Sequence, residues 1–121
     1  MQDELFSIGV LSKVSKISVD TIRYYDSIGL LTPAYVCSES KYRYYNESQA
    51  EILAKILEWK SYGCSLSEIK ILVNDPISTD SILRRRYLIL REEFVRIQNV
   101  LNKLEQKINS EVQNEKKNFV D

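Results

Sequence analysis

Ser18-Val19-Asp20-Thr21-Ile22-Arg23-Tyr24-Tyr25-Asp26-Ser27-Ile28-Gly29 reads as one short helix with both of its ends written out. Ser18 suits the N-cap, where a hydroxyl can accept an orphan amide of the first turn. Gly29 stands where a helix hands over to a left-handed residue. Between them Val19, Ile22 and Tyr25 share an inward face, and Asp20, Arg23, Tyr24 and Ser27 share an outward one. Upstream, Ser7 caps a helix reaching Val14, with Ile8, Leu11 and Val14 as its apolar side. Two short helices joined by a tight turn form a helix-turn-helix. That pattern alone is weak, because many small helical domains contain such a pair.

Downstream, Leu30-Leu31-Thr32-Pro33 leaves the helix in an extended direction, and Pro33 blocks further helix. Residues 34–45 are rich in tyrosine. Tyr35-Val36-Cys37 and Tyr42-Arg43-Tyr44 suit the two strands of a hairpin with its tip at Ser38 to Lys41. A hairpin directly after a helix-turn-helix reads as a wing. Asn46 and Gln49 have capping-box spacing and open a third helix to Tyr62, whose buried face is Ile52, Leu53, Ile56, Leu57 and Trp59. Ser65 and Glu68 repeat the box for a fourth helix, apolar at Leu66, Ile69, Leu72 and Val73 and ended by Asp75-Pro76.

From Asp80 to Val112 there is neither Gly nor Pro. Leu83, Tyr87, Leu90, Phe94, Ile97, Leu101, Leu104 and Ile108 recur in alternating steps of four and three. That is a sustained heptad seam on a helix about 50 Å long. No second helix of that length exists here to cover it, so a second chain is the simplest partner. The fold expected is mainly α: a winged helix-turn-helix domain over residues 1–76, a coiled-coil dimerisation helix over 77–113, and a disordered tail over 114–121.

Composition narrows the chemistry. The chain has no histidine and two cysteines, Cys37 and Cys64, too far apart in sequence for a CxxC pair. The commonest general base and metal ligand is therefore missing, so no catalytic role, metal site or cofactor is expected. The longest apolar runs are too short to span a bilayer, and the acidic Met1-Gln2-Asp3-Glu4 does not read as a secretory signal. The expected compartment is the cytoplasm. The 17 basic and 17 acidic residues cancel, so nucleic-acid binding must rest on local placement of charge.

That placement is suggestive. Thr21-Ile22-Arg23-Tyr24-Tyr25 and Lys41-Tyr42-Arg43-Tyr44-Tyr45 each set an arginine beside tyrosines, with Lys13 and Lys16 flanking the helix pair and Lys55 and Lys60 on the third helix. Arginine makes paired hydrogen bonds to a guanine edge or a phosphate, and tyrosine offers a hydroxyl to phosphate. The opposing reading is that the tyrosines fill the core and the arginines are solvated. For Tyr25 and Tyr45 the two readings stand level; for Arg23 and Arg43 DNA contact is favoured.

Phe6-Ser7-Ile8-Gly9, Ser18 to Asp26, Ile28-Gly29-Leu30-Leu31, Tyr42-Arg43-x-Tyr45 and Gly63-x-Ser65-Leu66-x-Glu68-Ile69 together resemble the MerR family of bacterial transcription regulators over residues 5–112. The resemblance implies a homodimer through an antiparallel coiled coil. It also implies binding to double-stranded promoter DNA, distorted so as to act on RNA polymerase indirectly, in a bacterial nucleoid. It assigns DNA contacts to Thr21, Arg23, Tyr24, Tyr25, Tyr42 and Arg43, and the placement of Lys16, Ser18 and Lys41 beside them adds these three as candidates. Lysine stands at positions 16 and 41, where the family has glycine. The cysteines and the large C-terminal domain by which family members sense metals, redox state or organic compounds are missing from these 121 residues. The chain is either a piece of a longer protein or a short member whose signal arrives through a protein partner. Two other readings compete: an architectural, chromosome-organising DNA binder, and a coiled-coil adaptor that binds protein.

Overall fold

A computed structural model describes residues 4–119. The chain divides into two compact units, Met1–Ile82 and Leu83–Asp121. Pro76–Ser78 is a single 3-10 turn and Thr79 already starts the long helix, so the division falls inside that helix, six residues past Pro76.

The first unit runs β1 (Phe6–Ser7), α1 (Ile8–Ser15), α2 (Val19–Ser27), β2 (Tyr35–Val36), β3 (Arg43–Tyr45), α3 (Glu47–Ser61) and α4 (Leu66–Asn74). Each helix starts where its cap residue dictates. Ser7, Ser18, Asn46 and Ser65 accept from the amides of Val10, Thr21, Gln49 and Glu68, and both capping boxes close in both directions. Six orphan amides thereby find partners.

The sheet has one strand more than the hairpin. β3 is central, antiparallel to β2 (Tyr35 opposite Tyr44) and to β1 (Phe6 opposite Tyr45). β1 is two residues long and its second residue is also the N-cap of α1, so it carries no alternation that a sequence can display. Against expectation, Cys37 lies outside β2 and Tyr42 outside β3. Their backbones still pair, Cys37 N–H donating to Tyr42 O at 2.9 Å.

The core gathers Leu11, Ile22, Tyr25, Leu31, Tyr45, Leu53, Ile56, Ile69 and Leu72, with Trp59 at its margin and Cys64 buried beside it. Val14 is a correction: it is 73% exposed, although it was read with Ile8 and Leu11. Steps of three residues precess about 60° backwards per step on a helix of 3.6 residues per turn. Val14 thus stands about 120° from Ile8, and α1 is too short for a broad buried face.

α5 (Thr79–Phe119) is one continuous helix of 41 residues, about 60 Å long. Residues 114–119, expected as a disordered tail, are helical; no Gly or Pro interrupts them. Val120 and Asp121, the rest of that tail, lie outside the described residues. Seven seam positions, Tyr87, Leu90, Phe94, Ile97, Leu101, Leu104 and Ile108, are 41–60% exposed, and Leu83 is half-buried. Among the described residues no helix is long and apolar enough to cross a membrane.

Candidate nucleic-acid interface

α2 presents Arg23 and Tyr24 to solvent while Ile22 and Tyr25 are buried beneath them. The alternation follows from the sequence: residues three apart share a face, and their immediate neighbours point away from it. At 2% exposure the Tyr25 ring has no face left to offer DNA. The ring of Tyr25, a DNA-contact candidate from the sequence, packs in the core. Its hydroxyl accepts a hydrogen bond from Lys60 Nζ at 3.1 Å, and that ammonium lies 5.7 Å from the ring centroid. Lys60, exposed on α3, thereby also ties α3 to α2. Lys70 does the same from α4, donating to the Ile28 carbonyl at the end of α2 at 3.0 Å.

Ser18 and Thr21 bond to each other, hydroxyl to hydroxyl at 2.9 Å, while Ser18 also accepts the Thr21 amide at 3.1 Å. Their first role is to start α2. Both lie at the helix's N-terminal end, the end a recognition helix turns to the bases.

On the wing, Lys41 and Tyr42 are exposed. Arg43 does not stand free. Its Nε donates to Asp26 Oδ2 at 2.7 Å, with the two side chains 35% and 22% exposed. This ion pair joins α2 to β3 across 17 residues of sequence. Spacing gives no hint of it, although Asp26 stands directly after the Arg-Tyr-Tyr run. Beneath lies Tyr45, fully buried, whose hydroxyl finds no partner among the described residues. Burial pushes its pKa up, the nearby Asp26 carboxylate adds to the rise, and Arg43 and Arg23 oppose it. Arg23, Asp26, Arg43 and Tyr45 thus share one electrostatic neighbourhood. At the hairpin tip the Cys37 thiol is lowered, first by a hydrogen bond with the Ser40 side chain and then by the Ser40 and Glu39 backbone.

The sequence model of the MerR HTH family regulatory proteins matches residues 6–75. The chain belongs to that family. It is similar to the transcriptional regulator BrlR of Pseudomonas aeruginosa, 36% identical over 106 residues, which covers 84% of this chain and 39% of BrlR. Among solved structures, the N-terminal part of the Bacillus subtilis multidrug transporter activator MtaN has a TM-score of 0.76 at 26% identity, covering 85% of this chain and 97% of that one. EcmrR, solved on DNA in its RPo assembly, has a TM-score of 0.75 at 27% identity, covering 86% of this chain and 38% of EcmrR. The chain spans about two fifths or less of the first curated relatives it matches.

Two lysines of this unit take an unusual backbone conformation. Lys16 has φ 61° and Lys41 φ 64°, the left-handed conformation that glycine adopts without cost. The Lys16 amide donates to Ser12 O and the Lys41 amide to Cys37 O, each at 2.9 Å. Both turns therefore hold a lysine in a conformation that favours glycine.

Proposed function

We infer that this chain is a dimeric, sequence-specific transcription regulator that grips an inverted-repeat promoter site and distorts it. The observation that carries the reading is the exposed Arg23-Tyr24 pair on α2, braced by an ion pair against a wing that exposes Lys41 and Tyr42. A recognition helix reads base edges in the major groove while neighbouring elements hold phosphates. Arg23 is the base reader; Tyr24, Lys16, Lys41, Tyr42 and Arg43 hold the backbone, with Ser18 and Thr21 at the helix start. Family membership supports the same reading, as does the likeness to EcmrR, whose structure is on DNA.

The α5 seam is the dimer interface, through an antiparallel coiled coil. An apolar stripe of seven half-exposed large side chains on one helix is more than a monomer leaves wet without reason. The helix is longer than one helical turn of DNA, about 34 Å, which favours half-sites two turns apart. At a promoter, such a dimer acts on RNA polymerase through the shape of the DNA.

The test is Arg23→Ala against a duplex enriched from random DNA. A loss of about 1–3 kcal/mol on that duplex and little on a scrambled one assigns Arg23 to a base edge. Uniform weakening assigns it to phosphate, and unchanged affinity removes Arg23 from the interface.

A further inference from the structure

We propose that Asp26 is a positioning residue for DNA-backbone binding, fixing the Arg43 guanidinium so that its terminal edge meets a phosphate. The inference rests on the reading of α2 and the wing as the DNA-binding surface. It adds an acidic residue that a search for basic contacts would discard.

Asp26 is the last acidic residue of α2, and Arg43 opens β3. The bond between them uses the Nε–H of Arg43. A guanidinium has five N–H donors in a rigid plane. With Nε held from one side, the four remaining donors lie on the two terminal nitrogens, and turning the plane would cost the Nε bond. A phosphate is bound best by two parallel donors of such a fork, provided the fork is already aimed. A free arginine must give up rotamer freedom on binding; one held by Asp26 has already done so. Both partners are partly buried, so solvent screens the pair less than it would an exposed one.

The surroundings leave this role to Asp26. The Tyr45 hydroxyl, buried in the same neighbourhood, makes no hydrogen bond among the described residues and so does not compete for the carboxylate. The Asp26 backbone carbonyl accepts from Gly29 N–H at 3.0 Å, which anchors the residue at the end of α2. A carboxylate on a DNA-facing helix repels phosphate if left alone. Bound to Arg43, it makes a neutral pair in which the arginine side chain keeps 35% of its surface exposed.

The experiment is a double-mutant cycle of Asp26→Ala and Arg43→Ala, read as affinity for a duplex enriched from random DNA and as the slope of log affinity against log salt. Wild-type protein that binds no duplex at low salt defeats the DNA-binding reading itself. If wild type binds, Arg43→Ala is expected to weaken binding about tenfold and to lower the salt slope by about one. Asp26→Ala is expected to do the same, and the double variant to be no worse than Arg43→Ala alone. Asp26→Asn keeps an oxygen for Nε and is expected to recover most of the affinity; it also serves as the folded variant should Asp26→Ala lose its thermal transition. Tighter binding by either Asp26 variant means the carboxylate only repels DNA, and overturns the proposal. So do losses that add in the double variant, or a loss of affinity with the salt slope unchanged.

Discussion

Replacing Lys16 and Lys41 by glycine should make the protein more stable while weakening its hold on DNA. Both residues sit at positive φ, 61° and 64°. An L-residue with a Cβ bears about 1–2 kcal/mol there. Glycine removes that cost but gives back about 0.4–1 kcal/mol through its freer unfolded chain. The net gain is about 0.5–1 kcal/mol per site, or about 2–8 °C for a domain of this size. Each lysine that contacts a phosphate should also contribute about one to the salt slope of DNA affinity. Thermal unfolding followed by circular dichroism at fixed protein concentration reads the first effect, and a salt titration of a mobility shift reads the second. Lys16→Ala and Lys41→Ala are the controls: they lose the charge but keep the Cβ, so they should lose affinity without gaining stability. Glycine variants no more stable than the alanine ones would refute the strain argument. Glycine variants with unchanged affinity and slope would take both lysines off the DNA.

Three further outcomes follow from the packing. Leu90→Lys with Ile97→Lys should sediment as a monomer, because each lysine would face an apolar partner across the seam; a persistent dimer would place the interface elsewhere. Tyr25→Phe should destabilise by about 0.5–1.5 kcal/mol, since Lys60 loses its acceptor, whereas Tyr45→Phe should be neutral or stabilising because that hydroxyl is buried without a partner among the described residues. Chemical denaturation of the two variants decides between these signs. Cys37 should alkylate readily in the native protein and increasingly so as pH rises, from a pKa below the ordinary thiol value, while buried Cys64 waits for unfolding; equal rates would contradict the burial.

The parts legible in the sequence are those written locally. Ser18, Asn46 with Gln49, and Ser65 with Glu68 announce helix starts because a cap and its amide are neighbours in the chain, and the structure closes each of those bonds. The outward Arg23 and Tyr24 and the seam of α5 follow from helical period alone. What the sequence hides is whatever joins distant segments. The pairing of Phe6 with Tyr45, the Lys60–Tyr25 bond and the Arg43–Asp26 ion pair span 39, 35 and 17 residues, and no spacing rule announces them. Tyr25 illustrates the consequence. Its residue type suits DNA or core equally, and only Lys60 and the packing around its ring settle which. The left-handed turns at Lys16 and Lys41 were hidden for the opposite reason: lysine masks a conformation that glycine would have advertised.

Enrichment of bound sequences from random duplex DNA by the wild-type protein tests the central claim most directly. The account predicts a single inverted repeat, its half-sites separated by two helical turns, bound by a dimer in a mobility shift. No enrichment above background at low salt, or a site that is asymmetric or a direct repeat, would contradict it.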